Sequence, residues 1–184
     1  MIATKLSLTD SSLLKDKCYV AGEWIGGAET IDVTNPVDES VVGRVPKLGA
    51  VETRRAIEAA RKAQKLWARK TAKERAGILR KWFNLMLENQ EDLARIMTAE
   101  QGKPLAESRG EIAYGASFIE FFAEEGKRIY GETIPSPWPG SRMLVIKQPL
   151  GVVEHDERRV AAEFQPEFLD RRRALRHQHA SNLG

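Results

Sequence analysis

The sequence predicts an α/β chain, mainly helical, with short strands at its N-terminus and one later strand. Three observations carry this. Residues 1–50 interleave short β-branched and aromatic runs with Gly and Pro, and residues 51–131 repeat apolar side chains at helical spacing. Arg142 to Gln148 (RMLVIKQ) is an apolar-rich run stopped by Pro149. Period and punctuation of these kinds separate strand from helix. At 184 residues, 42% hydrophobic and 30% charged, the chain suits one ordinary domain, or one and a half small ones. That is long enough to bury a real core.

Each element follows from its residues. Tyr19-Val20-Ala21-Gly22-Glu23-Trp24-Ile25 followed by Gly26-Gly27 reads as a strand and turn, a hairpin or meander whose second arm is Ile31-Asp32-Val33. Asn35-Pro36 closes that arm, because a proline ring pushes its predecessor out of helical geometry. Val41-Val42-Gly43-Arg44-Val45 is a further short strand ending at Pro46. Ala56, Ala60, Ala63 and Trp67 then share one helix face. Thr71-x-x-Glu74 is a capping box that starts a second helix, with Leu79, Trp82, Phe83, Met86 and Leu87 as its apolar stripe. Asn89 caps a third helix carrying Leu93, Ile96 and Met97, and Gly102 with Pro104 stops it and opens the next. The fourth helix places Ile112, Ala116, Ile119 and Ala123 on one face with Phe118 and Phe122 beside it, and ends near Gly126 or Gly131. All these aromatics read as core. Thr133 to Gly140 is a proline-stiffened loop that cannot be helix, and Gly151-Val152-Val153 opens another strand.

Four regions result: N-terminal strands and turns over 1–50, a helical region over 51–131, a loop and strand over 132–153, and an anomalous tail over 154–184. Residue usage changes abruptly at the last boundary. Before it there are 12 Lys and 11 Arg; after it, 6 Arg and no Lys, with all three histidines. The tail is expected to be poorly ordered.

Composition also excludes. No run approaches the roughly 20 apolar residues of a membrane span. The first residues lack a cationic start and apolar stretch, so no secretory signal is expected. Net charge is +3, but the charges alternate in sign along helices with no one-sided basic stripe, which argues against nucleic acid. The one cysteine, Cys18, cannot form an internal disulfide, and the expected location is the cytoplasm.

An inventory of reactive groups is short. Cys18 is flanked by Lys15 and Lys17 but has no histidine base beside it, and reads as structural. His177-x-His179 with His155 lacks the further ligands of a metal site. Gln101-Gly102-Lys103-Pro104 has a phosphate loop's look without its glycines, and reads as a helix-capping turn. No dinucleotide or P-loop motif is present, nor a Ser/His/Asp spacing that suggests a triad. Catalytic, cofactor-binding and metal-ligating residues are therefore all expected to be none.

Several motifs nevertheless carry a resemblance. Gly22-Glu23-Trp24, Asn35-Pro36, Thr71-Ala72-Lys73-Glu74-Arg75, Trp82-Phe83-Asn84-Leu85-Met86, Glu100 to Glu107 (EQGKPLAE) and Gly110-Glu111-Ile112 follow one another in order. This order resembles the N-terminal part of an aldehyde dehydrogenase. Phe121 to Gly131 (FFAEEGKRIYG) and Val145 to Val153 (VIKQPLGVV) are similar to the succinate-semialdehyde branch, so the likeness covers about 10–153. It implies oxidation of succinate semialdehyde to succinate with NAD or NADP, by a cysteine thiolate, hydride transfer and glutamate-assisted hydrolysis. The implied fold has a Rossmann-like cofactor domain, a catalytic domain and an oligomerisation sheet, to which 142–148 would belong. After Val153 the likeness stops. Where the family has Pro-Trp-Asn-Phe, this chain has Glu154-His155-Asp156-Glu157. The family's cofactor lysine, glycine-rich turn, Glu-Leu-Gly-Gly base and Gly-Gln-x-Cys nucleophile have no counterpart, and Cys18 does not match the nucleophile motif. The expectation is a truncated dehydrogenase-like chain, inactive by itself and binding NAD or NADP poorly. The alternatives are an interaction module pairing with itself or with full-length dehydrogenase through 142–148, and a non-functional remnant.

Overall fold

The computed structural model describes residues 6–153, and the tail from 154 onward lies outside them. A short 3-10 turn, Ser11–Leu13, is capped by the Asp10 carboxylate, which accepts from the Ser12 N–H at 2.9 Å. Strands β1 (Cys18–Val20) and β2 (Glu23–Ile25) pair antiparallel, Cys18 opposite Ile25. The run 19–25 is thus not one arm but a whole hairpin, folding back at Ala21 (φ 56°) and Gly22 (φ 92°). Two successive left-handed residues make the tight loop whose twist matches paired strands. Consequently β3 (Thr30–Thr34) finds a different partner from the one its sequence suggested: it pairs antiparallel with β4 (Val41–Pro46).

Four helices follow. In α1 (Ala50–Arg69) the Glu52 carboxylate accepts from the Gly49 N–H at 3.0 Å. The expected capping box starts α2 (Ala72–Glu88): the Thr71 N–H donates to Glu74 Oε2 at 2.7 Å, and the Glu74 N–H to Thr71 Oγ1 at 3.3 Å. Helix α3 (Gln90–Gln101) ends on Gly102, whose φ of +68° is the left-handed cap a glycine supplies. A Cβ there would also meet Pro36 Cγ at 2.8 Å, so the glycine lets the 35–40 turn lie against this cap. Helix α4 (Leu105–Glu125) follows Pro104.

The helical core is built from small residues. Helix α4 packs on α2 and α3, and the side chains buried there are Ala76, Ala94, Ala99, Ser108, Ile112, Ala116 and Ala123. Thr98 Oγ1 and Ser108 Oγ share a hydrogen bond of 2.9 Å across α3 and α4. Arg80 on α2 ion-pairs with Glu120 and Glu124 on α4, and Arg109 on α4 pairs with Glu91 on α3 at 2.6 Å. Asp92, itself buried, accepts from the Thr9 and Asp10 N–H groups at 3.0 and 2.7 Å, tying the N-terminal segment to α3.

One expectation fails here. Trp82, Phe118 and Phe122 are exposed rather than core. Alanines at the helix contacts let the backbones close on one another, which leaves these aromatic rings about half exposed.

Beyond α4, β5 (Glu132–Pro135) and β6 (Arg142–Val145) pair antiparallel, Glu132 opposite Val145. Instead of the single expected strand over 142–148 there is a hairpin, and its second strand stops at Val145. Part of the proline-stiffened loop is thus strand. Pro135 is tolerated because it ends β5 in a two-stranded sheet, where its missing N–H breaks no inner ladder. Gly131 fits only as glycine, since a Cβ there would collide with the Val145 carbonyl oxygen. Gly151-Val152-Val153 is not strand. Among the described residues no helix is long and apolar enough to cross a membrane.

Candidate functional site

The reactive groups named from sequence are not brought together. Cys18 lies half-buried on β1, its Sγ 3.9 Å from the Pro46 carbonyl oxygen that accepts from it. Lys15 lies over the Trp24 ring, 5.1 Å from its centroid. His155, His177 and His179 lie outside the described residues. The segment 101–104 is a capping turn: Gly102 closes α3, and the Lys103 ammonium pairs with the Glu111 carboxylate on α4. Among the described residues no group of three or more His, Cys, Asp or Glu is arranged to hold a metal ion.

Charge at the helix ends decides which ligands the described residues can take. A helix N-terminus with free N–H groups attracts phosphate. Here every α-helix already has a carboxylate in its first turn: Glu52, Glu74, Glu91 with Asp92, and Glu107. Glu74 is held below the ordinary glutamate range by the Thr71 N–H first and its hydroxyl second. Glu52 is lowered by its own N–H and that of Gly49, and Glu91 chiefly by the Arg109 guanidinium. Glu52, Glu74 and Glu91 favour the charged form, so a pyrophosphate would meet like charge at the N-termini of α1, α2 and α3.

Open grooves also occur among the described residues, and two of them bear on binding. The larger, 520 Å3, is lined among others by Trp67, Ala72, Arg75, Lys127, Lys147 and Pro149. Its cations are partly spoken for: Lys127 pairs with Glu124 at 2.9 Å, and the Arg75 guanidinium donates to the Lys70 carbonyl. The smaller, 360 Å3, is lined by Leu6, Asn35, Arg95, Thr98, Gly102 and Leu105 among others. Neither groove sets a nucleophile beside a base. The feature that sequence reading missed is the exposed aromatic stripe of α4, on which Tyr114 and Phe118 stack edge-on at 4.8 Å. Its signal was present in the i, i+4, i+7 spacing, but periodicity does not say whether a face is covered.

Comparison with known proteins places this geometry. Residues 24–155 match the model of the aldehyde dehydrogenase family. The glutarate-semialdehyde dehydrogenase of Pseudomonas putida is 60% identical over 149 residues, 80% of this chain and 31% of that protein. The NADP(+) succinate-semialdehyde dehydrogenase of Escherichia coli K12 shows the same 60% over 149 residues, again 80% of this chain and 31% of that one. A crystal structure of an aldehyde dehydrogenase from Brucella melitensis biovar abortus 2308 superposes with a TM-score of 0.77 at 60% identity, covering 79% of this chain and 30% of the other. The chain therefore spans about 31% of the length of these relatives.

Proposed function

We propose, from the premise that this chain belongs to the aldehyde dehydrogenase family, that it supplies the N-terminal, helix-rich part of a dehydrogenase for succinate-type or glutarate-type semialdehydes. The observation that carries this is the 60% identity over 149 residues with two proteins, one named for each semialdehyde. In such an enzyme NAD(P) would supply the hydride acceptor. The described residues offer its pyrophosphate no unoccupied helix N-terminus, because each of the four α-helices carries a carboxylate in its first turn. Thioester chemistry also needs a thiolate beside a base, and Cys18 faces a backbone carbonyl. By itself, then, the chain is a cytoplasmic scaffold without turnover. Its role is to fix helices and the β5–β6 hairpin around chemistry housed elsewhere in such an enzyme.

A second reading has one observation in its favour. All four residues of β6 are exposed, and β5 occupies only one of its edges. Edge-strand addition there would pair this chain with a full-length dehydrogenase or with itself.

The test is a chimera in which residues 1–153 replace the matched segment of the P. putida enzyme. We expect NAD(P)-dependent oxidation of glutarate or succinate semialdehyde within about tenfold of the parent, a loss of under ~1.4 kcal/mol in transition-state stabilisation. A chimera that folds and assembles like the parent but oxidises neither semialdehyde contradicts the reading, as does one that fails to fold.

A further inference from the structure

Helix α1 is cationic along one side. Over residues 54–69 it carries Arg54, Arg55, Arg61, Lys62, Lys65 and Arg69 against one carboxylate, Glu58, a net of +5 where the whole chain has +3. In sequence order other residues interrupt these charges, and no one-sided stripe is expected. The helix corrects that expectation. Wound at 3.6 residues per turn, all six fall within about 120° of its circumference, opposite Ala56, Ala60, Ala63 and Trp67, in a row about 22 Å long. All six are exposed. Arg55 pairs with Glu23 of β2 at 2.7 Å, and the other five have no ion pair among the described residues. On α3 and α4, by contrast, Arg95 and Arg109 both reach Glu91. Arg61, Lys65 and Arg69 follow one another at four-residue intervals, where like charges repel and weaken a helix. The charge that this row leaves unmatched is complementary to an extended anionic surface.

Two further side chains choose among such surfaces. Val51 and Leu66 stand 76% and 68% exposed, and by the same winding they lie inside and at the border of the cationic arc. Apolar groups set among cations suit a lipid headgroup layer, which accepts both. The arc holds no aromatic ring for base stacking and no Asn or Gln for base edges, so it lacks what reads a nucleic acid. We propose that this face of α1 is a peripheral docking surface for an anionic lipid bilayer, its cations against the phosphate headgroups and Val51 and Leu66 seated between them. A cluster of roughly four to eight Lys and Arg on an amphipathic helix supplies reversible attraction to such a surface without any span across it. The proposal is independent of the dehydrogenase reading, because it draws on no part of the reaction.

The experiment floats the purified 184-residue chain with vesicles of phosphatidylcholine alone and with vesicles containing about one-third phosphatidylglycerol. We expect partitioning to the anionic vesicles at least about tenfold above that to the neutral ones, falling as salt rises from ~0.1 M to ~0.5 M and screens each charge. Arg61→Glu with Lys65→Glu lowers it at least about tenfold. Arg142→Glu with Lys147→Glu, the same change in net charge at exposed positions off the helix, leaves it within about twofold. Leu66→Ser lowers it about threefold. Circular dichroism checks the fold; if the Glu pair unfolds the chain, Arg61→Gln with Lys65→Gln takes its place under the same criteria. Equal partitioning to both kinds of vesicle, or none to either, overturns the proposal. So does undiminished partitioning of the α1 variant, or an equal loss in the Arg142 and Lys147 pair, which would make net charge the cause. Release of the bound chain by duplex DNA at equal phosphate concentration, with Leu66→Ser without effect, also overturns it and makes the face a nucleic-acid surface.

Discussion

Helices α1 and α4 are nearly equal in length, 20 and 21 residues, yet their fates in the fold are opposite. Helix α1 segregates apolar from charged side chains the more sharply and buries none of its residues; α4 is apolar on more sides and buries four. Amphipathicity therefore reports which face a helix offers, not whether a partner has taken it up. What settles α4 is the fit of small side chains. Ala116 and Ala123 are fully buried where α4 packs on its helical neighbours, and Ser108 bonds Thr98 of α3, with cross-helix ion pairs along the rim. Helix α1 meets β1, and its Arg55 ion-pairs with Glu23 of β2 at 2.7 Å, while its Leu66 stands 68% exposed.

The contrast can be broken most forcefully at its tightest point. Ala116→Leu adds volume where no space exists, and urea unfolding should show a loss of about 1–3 kcal/mol. A neutral result would mean that the packing around α4 is loose. Asp92→Ala removes the buried acceptor of two N–H groups, and the same measurement should lose about 2 kcal/mol. Hydrogen exchange should then speed up at Thr9 and Asp10, which no other change in this series would do.

Smaller effects sharpen the comparison. Thr71→Ala deletes the N-cap of α2 and should cost about 1 kcal/mol. The Glu74 carboxylate sits below its ordinary pKa because the Thr71 N–H and hydroxyl donate to it. The folded state thus binds fewer protons there than the unfolded chain. The stabilisation is complete above the ordinary glutamate pKa and fades as pH falls through the lowered value. The gap between wild type and Thr71→Ala should accordingly narrow on acidification; a gap constant from neutral pH to acid would exclude the carboxylate's part. Smallest of all, Leu66→Ser on α1 should stay within about 0.5 kcal/mol of wild type, because most of that side chain is exposed.

How much of this was legible beforehand varies with the physics involved. Helix ends were readable because their signals are local: Thr71 and Glu74 form their box, Gly102 its left-handed cap, and α4 stops at Glu125 before Gly126. Strand partners were not. The choice between pairing 19–25 with 31–33 or folding it on itself turned on Ala21 accepting φ 56°, which an alanine does not advertise. Pro135 hid β5 for a related reason, since proline forbids inner strands but not the end of a two-stranded ribbon. Aromatic exposure on α4 depends on which neighbours are present, and periodicity is silent on that. Turning to the site, the likeness to semialdehyde dehydrogenases was visible in ordered motifs such as EQGKPLAE, whereas the carboxylate at every helix N-terminus needed the caps to be seen in place.

The central claim is that this chain positions dehydrogenase structure without performing the chemistry. Its most direct test is NAD and NADP reduction by the purified 184-residue chain with succinate and glutarate semialdehydes. The account predicts absorbance at the reduced-nicotinamide band no faster than in a blank without protein. Turnover that persists through re-purification and disappears in Cys18→Ser would contradict it.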